Sequence, residues 1–126
     1  MPGHHRLLDS LDVEDDRDKA QSDADLFGVL ADPTRLRIIY QLLEGPRCVG
    51  DLVRELGVRQ SLVSHHLAVL RRHEVVTAER RKQTIVYELP ERIASALDGR
   101  TIDLGCCVVT FRPATRTGSD QRERHD

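Results

Sequence analysis

The sequence predicts a mainly α fold with a small β-hairpin, a winged helix-turn-helix. Three observations carry it. Successive segments repeat apolar residues at helical spacing and are broken at Pro33, at Gly45-Pro46 and at Gly57. The last of these segments, "RQSLVSHHLAVLRRHEVV", divides into one apolar face and one face of small polar residues. The stretch after it, "VVTAERRKQTIVYEL", alternates in its second half and reads as two strands joined by a basic turn. Two helices with a tight turn between them and a hairpin behind make the winged arrangement.

Taken in order, "DADLFGVLA" places Leu26, Phe27 and Leu30 at helical spacing. It ends at Asp32-Pro33, because the residue before a proline avoids helical backbone. Pro33 suits the first turn of the next helix, where Leu36, Ile39, Leu42 and Leu43 form an apolar stripe. A short third helix, "CVGDLVRELG", turns Val49, Leu52, Val53 and Leu56 inward, with Gly57 as its C-cap. In the fourth, Leu62, Val63, His66, Leu67 and Leu70 face the core, which makes His66 a core histidine. Gln60, Ser61, Ser64, His65, Ala68 and Arg71 are left outside. A small polar face of this kind lets a helix approach base edges closely enough to hydrogen-bond with them.

At 126 residues the chain fits one domain, expected to fold over residues 22–111. Residues 1–21, acidic and weakly periodic, and residues 112–126, polar throughout, read as disordered tails. No run approaches the roughly 18 apolar residues of a membrane span, and the start lacks a signal-peptide pattern, so no membrane partner and a cytoplasmic location are expected. The net charge of −2 averages two opposed regions. Residues 1–25 hold eight acids against three bases, while residues 59–82 hold six bases against two acids and three histidines besides. The middle of the chain is therefore the electrostatic footprint for a polyanion, with a solvated helix face as the plain alternative. Three cysteines, Cys48, Cys106 and Cys107, cannot all pair within one chain. In a reducing compartment their number favours metal binding or redox sensing over a structural disulfide, inert burial being the other reading.

Four blocks, "LADPTRLRIIYQLLEG", "CVGDL", "SLVSHHLAVLRRHEVV" and "IVYEL", resemble in order and spacing the ArsR/SmtB family of metalloregulatory repressors, over about residues 24 to 97. The resemblance implies a homodimer that binds palindromic double-stranded operator DNA and lets go when a metal ion binds, with no catalysis and no organic cofactor. It makes "QSLVSHHL" the recognition helix, with Gln60, Ser61, Ser64 and His65 on bases or phosphates, and Arg81, Lys82 and Gln83 of the wing on the DNA backbone. Many relatives have glycine where Lys82 stands, and a non-glycine residue at positive φ is costly, so a different turn shape is expected here. Leu26, Phe27 and Leu30, with Ile93 and Leu97 of an expected last helix, are the dimer surface.

The family's sensor sites match only in part. Where its arsenic-sensing branch has Cys-Val-Cys-Asp-Leu-Cys, this chain has Cys48-Val49-Gly50-Asp51-Leu52-Val53 and keeps one thiol. The zinc-sensing branch uses Asp and His pairs on the last helix, but "PERIASALDG" has no histidine. Cys106 and Cys107 are the remaining soft ligands, and three sulfurs match the pyramidal coordination of As(III) or Sb(III), the expected inducers. Cys48 opens a helix, where the positive end of the dipole favours an anionic ligand. In a regular strand Cys106 and Cys107 would point to opposite faces, so a shared ion requires a bend, which Gly105 permits. The alternatives are an apolar interface strand "CCVVTF" with incidental thiols, a Cd(II), Pb(II) or Hg(II) sensor with His4 or His5 as further ligands, and a thiol redox switch.

Overall fold

The computed structural model describes residues 2–94 and 99–114. The chain divides into two compact units, one ending at Pro90 and the other beginning at Glu91, where the sequence suggested one folded span.

The first unit holds four helices and a three-stranded antiparallel sheet. Helix α1 runs Pro2–Leu30 and so takes in the acidic stretch expected as a tail. Pairs one turn apart support it: Lys19 Nζ donates to Asp23 at 2.7 Å and Gln21 to Asp25 at 2.8 Å, the spacing at which side chains on a helix meet. Helix α2, Pro33–Glu44, starts as predicted. Asp32 is its N-cap, with Oδ1 accepting from the Arg35 N–H at 3.0 Å and Pro33 in the first turn. Its buried stripe is Ile38, Ile39 and Leu42, rotated from the predicted one so that Leu36 and Leu43 are only half-buried.

Strand β1, Arg47–Cys48, leads directly into α3, Val49–Leu56, which Gly57 ends in the left-handed conformation at φ 67°. Helix α4, Gln60–Arg72, buries Val63, His66, Leu67 and Leu70. Leu62, predicted inside, is 37% exposed, because it lies at the edge of the apolar arc. Strands β2, Thr77–Arg81, and β3, Thr84–Glu88, form the wing hairpin. β1 adds to the outer side of β3, giving the order β1-β3-β2 with Cys48 opposite Val86. The core lies where α2, α3 and α4 meet: Ile38, Ile39, Leu52, Val63, Leu67 and Leu70 have no exposed surface.

In the second unit, β4, Thr101–Asp103, and β5, Val108–Thr110, form an antiparallel hairpin with Ile102 and Leu104 buried. At residues 91–94, where a helix was expected after Pro90, the chain takes other structure. Residues 91–93 are turns, and Ala94 bridges to Ile102, while the Asp103 N–H donates to the Ile93 carbonyl at 2.6 Å. The β4 strand thus captures this segment's backbone. Leu97 lies outside the described residues, as does most of the expected tail 112–126.

Candidate functional site

Helix α4 presents Gln60, Ser61, Ser64, His65, Ala68 and Arg71 to solvent, all exposed, as the face pattern predicts. It is held from behind by a polar cluster. The Arg35 guanidinium donates through Nε to the Val29 carbonyl, near the end of α1, and through Nη1 to His66 Nδ1 at 3.1 Å. Because a guanidinium has only donors, Nδ1 is the acceptor and the neutral ring carries its proton on Nε2, 3.8 Å from Asp32 Oδ1. One arginine therefore ties α1, α2 and the exposed helix together.

His66 is 6% exposed, and burial holds its pKa below the ordinary histidine value, against the opposing pull of Asp32 and with Arg35 and His65 adding to the depression. As pH falls below about 6.5 the unfolded chain takes up a proton on this residue before the folded one does, so stability drops from there down to the folded pKa. One proton sets a maximum slope of about 1.4 kcal/mol per pH unit. Urea unfolding between pH 7.5 and 5 should show this loss, flattened over the same window in a His66→Gln protein; equal slopes in the two proteins would remove His66 as the source. Asp32 behaves in the opposite sense. The Arg35 N–H, then the charges of His66 and Arg35, hold its carboxyl below the usual range, so its contribution is lost only in stronger acid.

The wing reaches out beside this face, with Arg81, Lys82 and Gln83 all exposed. Arg81 pairs across from Thr84, leaving Lys82-Gln83 as a two-residue turn. Lys82 sits at φ 57°. The turn thus keeps the left-handed shape that glycine takes most readily, contrary to the expectation that lysine would change it. Arg81 is held by acids of the wing, Glu79 at 3.1 Å and Glu88 at 3.8 Å. Such exposed pairs are worth little, so a phosphate can displace them at small cost. Between α4 and β3 an open cleft of about 390 Å³ is lined by Ser64, Leu67, Ala68, Arg71, Arg72 and Tyr87. The sequence reading missed Arg72 and Tyr87 as neighbours of the polar face. The alternation of "TIVYEL" gave Tyr87 a side of the strand but not which helix that side meets.

The thiols are divided between the units. Cys48 is the N-cap position of α3, its N–H donating to Asp51 Oδ2 at 3.2 Å. Hydrogen bonds from the Cys48 backbone, then from its thiol, hold the Asp51 carboxyl below the usual range, so a carboxylate stands beside this sulfur. Cys106 and Cys107 occupy the tip of the β4–β5 hairpin. The Leu104 N–H donates to the Cys107 carbonyl at 2.9 Å, the Gly105 N–H to Asp103 Oδ1 at 2.9 Å, and Gly105 has φ 88°. That bend, foreseen as the condition for a shared ion, brings the two sulfurs to 3.6 Å. None of the three cysteines is in a disulfide. Among the described residues no three His, Cys, Asp or Glu side chains are gathered as a metal site. The structure therefore brings together two of the three expected ligands and leaves Cys48 in the other unit. His4 and His5 lie where no side chain is described.

Comparison with known proteins agrees with this geometry. The family model described as "Bacterial regulatory protein, arsR family" matches residues 32–78, the stretch from the Asp32 cap to the first wing strand. The transcriptional regulator NmtR of Mycobacterium tuberculosis is 42% identical over 84 residues, 66% of this chain and 70% of that protein. The chain belongs to the arsR family. The repressor SmtB of M. tuberculosis is 45% identical to this arsR-family chain over 67 residues, 53% of the chain and 50% of the repressor. The chain thus spans about half the length of the SmtB relatives it matches. Among solved structures, the transcriptional repressor BigR from Xylella fastidiosa superposes with a TM-score of 0.58 at 36% identity, covering 62% of this chain and 77% of BigR. The arsR-family fold is accordingly the winged helix-turn-helix that the sequence predicts. No helix among the described residues is long and apolar enough to cross a membrane.

Proposed function

We propose that the protein is a homodimeric repressor that binds a palindromic operator and leaves it when As(III) or Sb(III) binds the thiolates of Cys48, Cys106 and Cys107. The observation that carries the inducer is the pair of sulfurs 3.6 Å apart at the hairpin tip, ligands suited to a soft ion. The DNA reading rests on the exposed polar face of α4 beside a basic wing, with Gln60, Ser61, Ser64 and His65 toward base edges and Arg81, Lys82 and Gln83 toward phosphates. Relatives named as transcriptional repressors support it. Of the residues expected at the dimer surface, Phe27, 48% exposed on α1, supplies apolar surface for a second copy, whereas Leu30 and Ile93 are buried. The protein catalyses no reaction and works in the cytoplasm.

The ion acts by favouring a dimer conformation that holds DNA poorly, since a ligand shifts an equilibrium only through its differential affinity. Reciprocity then requires DNA to weaken ion binding by the same factor, a coupling of about 1 to 3 kcal/mol. The test is operator binding under a reductant, titrated with arsenite. Wild-type protein should be released, and the response should vanish in Cys48→Ser, Cys106→Ser and Cys107→Ser proteins that still fold and bind DNA. Release persisting in the two hairpin variants would defeat the site. Release by cadmium, lead or mercury alone would reassign the ion, and release by peroxide alone would make the thiols a redox switch.

A further inference from the structure

We propose that Arg35 and His66 form a latch behind α4 which a single proton opens, so that mild acid weakens binding to operator DNA while binding to DNA of other sequence persists. The proposal rests on the reading of α4 as the helix that meets DNA and adds a positioning pair to it.

The closed latch requires a neutral ring. Arg35 stands on α2, against which both α1 and α4 pack. Its guanidinium donates through Nε to the Val29 carbonyl of α1 and through Nη1 to His66 Nδ1 of α4 at 3.1 Å. The second of these bonds uses the lone pair on Nδ1, and a proton there removes it. Two donors, each on a cation, would then face one another where the histidine is shielded from water at 6% exposure.

Charge also supplies the alternative arrangement. The groups that act on the ring are Asp32 from the junction of α1 and α2, Arg35 from α2 and His65 from α4 itself. Asp32 Oδ1 lies 3.8 Å from His66 Nε2, beyond the reach of a hydrogen bond. An imidazolium is drawn toward that carboxylate and pushed away from Arg35, so the ring exchanges one partner for the other. The same Asp32 oxygen caps α2 by accepting from the Arg35 N–H at 3.0 Å, and the protonated ring competes with the cap for it. Burial disfavours the charged ring, which keeps the latch closed at neutral pH and opens it only below the ordinary histidine value.

What the exchange alters is the pose of α4. The rings of His65 and His66 meet edge to face, with centroids 5.3 Å apart and planes at 61°, so the buried ring bears directly on an exposed one. Base edges are read only by side chains held in place, whereas attraction to phosphates tolerates displacement. Acid therefore removes sequence-specific affinity first. Protons taken up elsewhere on the surface favour a polyanion of any sequence, which is an effect of opposite sign.

The experiment compares full-length wild type, His66→Asn and Arg35→Lys from pH 7.5 to 5.5 at fixed salt. The probes are a duplex that the wild type selects from random sequence at pH 7.5 and an unselected duplex. Asparagine keeps a carbonyl acceptor near the Nδ1 position and takes up no proton, while lysine keeps the charge but lacks the rigid fork that spans two acceptors. Wild type should lose about tenfold in affinity for the selected duplex and stay within about twofold on the other, one proton being worth at most about tenfold per pH unit. His66→Asn should hold the selected duplex within about twofold throughout, and Arg35→Lys should bind it about tenfold more weakly already at pH 7.5, with a flattened response to acid. Nitrogen NMR follows the same proton without DNA, and the Arg35 Nε signal should shift at the midpoint of the His66 ring; this reading and Arg35→Lys decide the matter should the asparagine protein not fold. Acid sensitivity retained in His66→Asn, equal losses on the two duplexes, or loss of helical circular dichroism in step with loss of binding would each overturn the latch. A selection that yields no preferred sequence would defeat the operator reading and the effect on DNA with it, while an Arg35 signal moving at the His66 midpoint would still uphold the latch.

Discussion

Leu67→Ala lowers the unfolding free energy by about 2 to 5 kcal/mol, the range for removing a fully buried leucine and leaving part of its cavity open. Leu67 has no exposed surface and sits on the inner face of α4, the helix that packs against α2 and α3. Small domains have a total of about 5 to 15 kcal/mol, so the variant should show a marked fall in its urea midpoint with an unchanged slope. Ser64→Ala, one turn away on the exposed face, supplies the control and should stay within about 0.5 kcal/mol of wild type. A Leu67→Ala midpoint matching that control would mean that α4 is not packed as described. DNA affinity should fall with stability here, because the same side chain fixes the pose of the exposed residues.

Ser64→Ala and His65→Ala should each weaken binding to the true operator by about 1 to 3 kcal/mol and binding to random DNA by much less, since contacts to base edges carry the sequence information. Their exposure on the polar face of α4 leaves both side chains accessible to DNA. Equal losses on both DNAs would contradict base readout. Lys82 and Arg81 should behave otherwise. As phosphate contacts they weaken every sequence alike, and each neutralised charge reduces the salt slope by about one unit per subunit. The Glu79 and Glu88 pairs on Arg81 should make its effect the smaller of the two. A salt slope unchanged in the Lys82 variant would take the wing tip out of the interface.

Local chemistry was legible from the sequence and distant pairing was not. Asp32-Pro33 and Gly57 announced helix ends because capping and backbone restriction act within a few residues. The two faces of α4 were legible for the same reason, apart from Leu62 at the border of the arc. Strand β1 was invisible: two residues carry no alternation, and its existence depends on β3, far along the chain. The helix expected over "PERIASALDG" came with the family resemblance, whereas at residues 91–94 the chain forms turns and a bridge from Ala94 to Ile102, a tertiary event. Lys82 shows the limit of propensity, since the two-residue hairpin register imposes a left-handed turn whatever residue occupies it. At the candidate site, Gly105 next to two cysteines allowed a bend to be foreseen, but the 3.6 Å spacing of the sulfurs comes from the hairpin closing around it. The Arg35 and His66 contact was not foreseen, because nothing in the sequence says which helix a given arginine will reach.

The strand order β1-β3-β2 leaves the wing sheet with two outer edges, and both discourage a further strand. On one side β1 is two residues long, comes directly after Pro46 and carries Arg47. On the other, β2 ends in Glu79, Arg80 and Arg81. A short strand, an adjoining proline and charged side chains are the means by which natural sheets resist edge-to-edge aggregation. An edge of the wing sheet can therefore meet solvent and still not template the stacking of one molecule's sheet upon another's.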